Sequence, residues 1–501
     1  GEKSNWSERQ RRRKSERRYA EYLLVGHPVV YSPYVKVCIV CTKNPTQTLR
    51  TTMSSILSRW TGWKDFLLAQ GHVSIILVVA YIGNNFPKSY HRNENHNPDM
   101  FWFVCGIMTV VALATLKHKE SDPKRGVQLL SRAQTEEWKG WMQFAFIMYH
   151  YYRMYSAYNE IRVFVSAYVW MTGFGNFLYF DKLKDFSIDR AISMWLRINY
   201  FPLLLSTFLS VPLELYYVVP LHTTGFFVTM VTCWLACYLE EKHGLDYWKS
   251  RITGLIVCTL IHIAFYETSA VEFLKLFSDE YHFRFQADKY SALIGIWSGL
   301  VWGKFRQYLQ WAYGMNGEVT WAKFLQRFVG FFLIWSWWYA FGYNSDKYTY
   351  NPVHPYVFWM PVAGWLMIRN SSKYLTELHS TGLEFFGRIT LETYVLQFHV
   401  FMCNDVQHIP VLIPGSDENG LWYLRFLNML LCGIIFVPLA AWARRVTVTT
   451  QTTVVELMKE IRKGFSPEVP KSEDEADDGD KEEVSLLKAE NGGEVEMESA
   501  K

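Results

Sequence analysis

Cysteine is scarce: the chain has eight in 501 residues, most of them inside apolar stretches where a thiol acts as a small hydrophobe. Cys38 and Cys41 form a C-x-x-C, but no second pair completes a zinc site, so no metal is expected. Net charge is nearly absent too. At +4 the chain carries no global field for nucleic acid. The basic run from Arg9 to Arg18 (RQRRRKSERR) is read as a cytosolic anchor facing anionic lipid. The signatures of soluble catalysis are missing: there is no G-x-S-x-G elbow, no P-loop and no H-E-x-x-H. Asp405 and His408 spell D-x-x-H, but no G-D-S nucleophile block precedes them, and they are taken as loop residues. With a charged first stretch, no cleavable leader is expected there. The chain starts with Gly1, so a trimmed chain with an upstream segment removed is expected.

What the sequence does have is apolar and aromatic surface. Half of the residues are hydrophobic and 17% are aromatic. The mean hydropathy of -0.03 understates this, because the ends are polar and the 21 Trp and 31 Tyr suit membrane interfaces. Apolar segments run at roughly 66–84, 100–117, 138–154, 161–180, 195–213, 216–239, 251–269, 290–313, 325–342, 355–369, 383–403 and 420–442. In lipid every backbone amide must be satisfied internally. The expectation is therefore an all-α polytopic membrane protein with about twelve transmembrane helices. Residues 1–60 form a basic cytosolic region, 61–445 the membrane domain, and 446–501 a cytosolic region whose acidic end (SPEVPKSEDEADDGDKEEV) is too polar to fold. With the N-terminus in the cytosol, alternating loops carry about nineteen Lys/Arg on the cytosolic side and about six on the other.

Ionisable groups inside such spans are costly and mark candidate sites. In QTEEWKGWMQFAFIMYHYY, Lys139 sits at the cytosolic end of a span. His150 lies eleven residues on, roughly 16 Å further. Gln143 shares their helix face. A buried imidazole between Tyr149 and Tyr151 can act as a base; the bland alternative is a hydrogen-bonded core histidine. The next span carries Arg162, Thr172, Gly173, Gly175 and Asn176. Arg162 has Glu160 as its bland partner, and Asn176 needs a partner or a wet cavity. Pro220 breaks the helix ladder beside His222. In FGRITLETYVLQFHV, Arg388 stands near the cytosolic entrance, with Glu392, Gln397 and His399 deeper.

The string QTEEWKGWMQ…MYHYY…YNEIRVFVSAYVWMTGFGNF resembles the central block of the plant reduced-wall-acetylation proteins. That group is related to fungal capsule and animal sialate O-acetyltransferases. The likeness continues through KDFS, Arg197–Asn199, PLHT, HFR, HPY, RNS and GRITLETYVLQFH, and covers roughly residues 60 to 440. The family is distantly similar to bacterial membrane acyltransferases that open their first catalytic helix with an Arg and a His. Here Lys139 and His150 take those places, and His399 resembles a terminal histidine of that group. Lys for Arg keeps the charge but loses the bidentate fork. Animal and fungal relatives carry a luminal esterase-like domain that the plant proteins lack, and this chain matches the plant pattern.

The resemblance implies an acetyl-CoA-dependent transmembrane O-acetyltransferase, or acetyl relay, in the Golgi membrane. His150 is the expected base or acyl acceptor, with His399, His222 and Asn176 as its helpers. Lys139, Arg132, Arg125 and Arg388 are expected to meet CoA phosphates. A luminal polysaccharide or sugar hydroxyl takes the acetyl group, directly or through a separate luminal O-acetyltransferase. The competing readings are a transporter of an acetyl donor and a non-catalytic scaffold.

Overall fold

A computed structural model of the chain describes residues 60–118, 130–313, 320–343 and 345–465. The basic run, the C-x-x-C, Lys124, Arg125 and the acidic tail lie outside the described residues. The first helix, α1 (Trp63–Asn84), shows how the membrane shapes each element. It turns Leu67, Leu68, Ile75, Val78 and Ile82 outward and buries Ala69, Val73, Ile76, Leu77 and Ala80. In water that outer face would be untenable. After a short polar segment, α2 (Pro98–Ala114) starts where the Asn97 side chain accepts from the Met100 N–H at 3.0 Å, with proline at the first position.

The order continues with α3 (Arg132–Tyr151), α4 (Tyr158–Leu183), α5 (Ile188–Leu209), α6 (Val218–His243) and α7 (Tyr247–Tyr266). A short α8 (Asp279–Ala287) precedes α9 (Ser291–Tyr313) and α10 (Thr320–Trp337). Two broken stretches follow. One is α11 (Lys347–Val357) and α12 (Trp359–Arg369). The other is α13 (Lys373–Glu377), α14 (Thr381–Arg388) and α15 (Thr390–Leu396), ending in a π-turn over Gln397–Phe401. The long α16 (Trp422–Phe465) closes the described chain. It runs past 445, so the expected domain boundary falls inside a helix. Five of these helices are long and apolar enough to cross a membrane.

Two small strand pairs tie distant loops together. Strand β1 (Ser89–His91) pairs antiparallel with β4 (His408–Pro410), with His91 opposite His408. Strand β2 (Leu116–His118) pairs with β3 (Leu378–Ser380). The first pair joins loops expected on the side opposite the cytosol, and the second joins loops expected on the basic side. In lipid, helices associate through close packing rather than water exclusion, and α3 crosses α14 backbone to backbone. A Cβ on Gly140 would meet the Leu383 carbonyl, and one on Gly387 would meet the Glu136 carbonyl. The largest core gathers Ile76, Phe146, Phe401 and Phe436 from α1, α3, the π-turn and α16. A second holds Trp138, Met142, Trp170 and Tyr350.

Candidate active site

Helix α3 carries expected site residues at both ends. Arg132 and Lys139 stand at its basic end and His150 in its last turn, about 27 Å from Arg132 along the axis. His150 is partly buried among Phe146 (ring centroids 4.7 Å apart), Tyr149 and Phe398 (6.1 Å). Arg92 reaches it from the loop after β1. Its Nη1 lies 3.3 Å from His150 Nδ1. Arginine only donates, so Nδ1 accepts and the neutral ring carries its proton on Nε2. Arg284 of α8 sets its charge against the same imidazole. Its guanidinium lies over the Tyr217 ring at 4.1 Å, and its Nε donates to Glu280 at 2.6 Å.

The local sequence fixes this placement. Arg92 opens a 3-10 turn, Arg92–Asn95, directly after β1, and its N–H donates to the Gln407 carbonyl at 2.9 Å. Asn95, buried, accepts from the Tyr90 hydroxyl and donates to the Tyr151 carbonyl, both at 3.0 Å. The loop is thereby fastened to the end of α3. Burial and the neighbouring Arg153 lower the Arg92 pKa from its ordinary value.

The other expected helpers, His399, His222 and Asn176, form no hydrogen bond with His150. His399 is fully buried, and both its ring nitrogens are occupied. Nε2 meets the Tyr216 hydroxyl at 2.5 Å, and Nδ1 meets Asn84 Oδ1 at 2.9 Å and Asp405 at 3.5 Å. It ties α1 to the segment before α6, and the Phe398 ring neighbours both it and His150. His222 bonds Thr172 at 2.5 Å, joining α6 to α4. Asn176 donates to the Thr172 carbonyl of its own helix at 2.8 Å. Asp405, read from sequence as a plain loop residue, faces His399 from a turn in which Asn404, Asp405 and Val406 all have positive φ. Burial raises its carboxyl above the usual range.

At the basic end Lys139 pairs with Glu136 at 2.7 Å, and Arg388 donates to Glu384 at 2.6 Å. Arg132, Thr135, Trp138, Trp170, Phe174 and Gly175 line a cavity of about 390 Å³ there. Arg125 lies outside the described residues.

A second buried cluster escaped the sequence reading. Arg162 pairs with Asp288 at 2.7 Å, not with Glu160. Ser166 Oγ lies 2.5 Å from Asp288 and 2.6 Å from His354 Nε2, and His354 Nδ1 lies 2.7 Å from the Tyr350 hydroxyl. One proton order satisfies the chain of hydroxyls and imidazole: Tyr350 donates to Nδ1, Nε2 donates to Ser166, and Ser166 donates to Asp288. The serine proton is committed to the carboxylate, so this is a structural knot and not an activated nucleophile. Arg92 and Arg284 were also missed as site residues. The only sequence signals were an arginine in the sparsely basic loops opposite the cytosol and the HFR string.

Comparison with known proteins gives the setting for this geometry. Residues 29–463 match the family described as the 10 TM Acyl Transferase domain found in Cas1p. The description counts ten spans where apolar windows count about twelve. The windows at 355–369 and 383–403 fall on broken helices, which a window sum cannot distinguish from a continuous one. The chain is 27% identical over 414 residues to N-acetylneuraminate (7)9-O-acetyltransferase of Danio rerio, across 77% of this chain and 50% of that protein. It thus spans about half the length of the curated relative it matches. No solved structure matches. A partly buried histidine against Arg92, at one end of an all-α membrane bundle, therefore stands in a known setting: the chain belongs to the membrane acyltransferase family of the Cas1p 10 TM domain.

Proposed function

We propose that this chain is a membrane O-acetyltransferase that takes acetyl groups from acetyl-CoA at its basic end and delivers them to a polysaccharide or sugar hydroxyl at the opposite end, in the Golgi membrane. The single observation that carries the reading is His150, an ionisable group partly exposed in the last turn of α3 of an acyltransferase-family bundle. The relative's name, an O-acetyltransferase acting on a sugar, supports the acetyl group and the hydroxyl acceptor. Arg132 and Lys139, with Arg125 and Arg388, supply positive charge for the donor's phosphates.

The chemistry asked of His150 is modest. The acceptor hydroxyl gives its proton to Nδ1, which becomes free when Arg92 yields it. The oxygen adds to the acetyl carbonyl, and the carbonyl electrons return as the carbon–sulfur bond breaks. The departing thiolate takes the proton. A separate luminal O-acetyltransferase remains a partner for final placement of the acetyl group.

The test uses purified protein in nanodiscs with radiolabelled acetyl-CoA, wild type beside His150→Ala. Release of CoA with label on the sugar should fall by about 10²–10⁴-fold in the variant. Full activity in a folded variant would remove His150 from the mechanism. Uptake of intact acetyl-CoA without cleavage would make the chain a transporter.

A further inference from the structure

Arg92 is an unusual cation. It leaves the strand pair to lie partly buried against His150, and its Nε is buried with no hydrogen-bond partner. Among the described residues no carboxylate lies within ion-pairing distance of it. Its electrostatic neighbours include another cation, Arg153, and a phenol, Tyr149. Arg284 of α8, whose charge bears on the same imidazole, is tied by its Nε to Glu280 and stacked on Tyr217. One guanidinium thus lies against the neutral ring, and a second adds its positive charge from α8. A buried donor with no acceptor costs roughly 1–3 kcal/mol, and like charges held together add to that cost. A fold keeps such an arrangement economically when an anion completes it.

We propose that Arg92 and Arg284 form an oxyanion-binding site at the mouth beside His150. The ligand is a delocalised negative oxygen, which a planar guanidinium recognises better than an ammonium does. It has two possible sources. One is the tetrahedral oxyanion that forms as the acceptor oxygen adds to the acyl carbonyl. The other is the carboxylate of an acidic sugar acceptor. With the sugar carboxylate as ligand, acceptor binding draws Arg92 off Nδ1 and frees it as a base; with the transfer oxyanion as ligand, Arg92 moves from Nδ1 to the developing negative oxygen as the acceptor's proton takes its place on the ring.

This proposal rests on the acetyl-transfer reading, and the experiment separates the two. Arg92→Gln and Arg284→Gln are compared with wild type in nanodiscs, with Arg92→Lys as a charge-keeping control and thermal unfolding as the check on folding. The acceptors are a glucuronate-bearing oligosaccharide and its carboxyl-reduced neutral counterpart, and binding of the acidic one is also measured directly. A kcat loss of about 10²–10³-fold with both acceptors, at unchanged KM, assigns the site to the transfer oxyanion. A KM raised tenfold or more for the acidic acceptor alone assigns it to the sugar carboxylate. Unchanged kcat and KM in both Gln variants, with wild type active, overturn the site and leave the acetyl-transfer reading standing. If wild type transfers nothing yet binds the acidic oligosaccharide through Arg92, the reading falls and the site stands. If neither transfer nor Arg92-dependent binding occurs, both fall.

Discussion

Asp288 shows how much one buried carboxylate can organise. It accepts from Arg162 and from Ser166, and the serine passes the contact on to His354 and Tyr350. Removing one partner of such a pair leaves a buried charge uncompensated, which costs about 3–5 kcal/mol. Asp288→Asn should therefore lower the melting temperature in detergent sharply. Ser166→Ala leaves the His354 Nε2–H without its acceptor and should cost about 1–3 kcal/mol, but it should leave acetyl transfer intact. A folded Ser166→Ala protein without activity would place the knot in the chemistry instead. The sequence made some of these residues visible and hid others. His150 and His399 stand out because ionisable groups are rare in apolar windows. Their different fates do not show, because nothing near His399 in the chain announces Asn84 or Tyr216, more than 180 residues away. Arg92 was hidden more thoroughly: it sits in a polar loop where an arginine attracts no notice.

At the scale of elements, the crossing of α3 and α14 depends on two hydrogens. Gly140 and Gly387 let the two backbones touch, and this contact orients the helix that bears Lys139 at one end and His150 at the other. Gly387→Val should force the helices apart at a cost of about 1–3 kcal/mol or more, read as a lower melting temperature and a smaller folded yield. Activity should fall with it, since the ends of α3 would shift together. A Gly387→Val protein that melts like wild type would mean the crossing is looser than described. The helices themselves were largely legible, because long apolar windows have one economical solution in lipid. Their interruptions were not. Summed hydropathy is blind to the break at Phe358, to the π-turn ending in Phe401, and to α16 continuing through the threonine-rich stretch beyond Arg445.

At the scale of the whole molecule, the two strand pairs divide the loops into two sets. That division matches the alternation read from the sequence, with β1–β4 at one end and β2–β3 at the other. It predicts opposite accessibility. In sealed, oriented vesicles, a membrane-impermeant maleimide should label Ser89→Cys from one side only and Lys117→Cys from the other only, against the wild-type cysteine background. Both positions are exposed. Labelling of both from the same side would break the alternation and, with it, the separation of donor and acceptor ends along α3.

The chain also returns to where it began. Gln70 of α1 donates to Thr450 of α16 at 3.1 Å, and His72 lies edge-on to Trp442 with centroids 5.4 Å apart. The first and last described helices are neighbours, and β1–β4 binds the loops beside them. The described chain is thus clasped at its two ends, and α1 and α16 are expected to move as one piece, so that a shift of either is passed to the β1–β4 loops and to the Arg92 turn fastened to the end of α3.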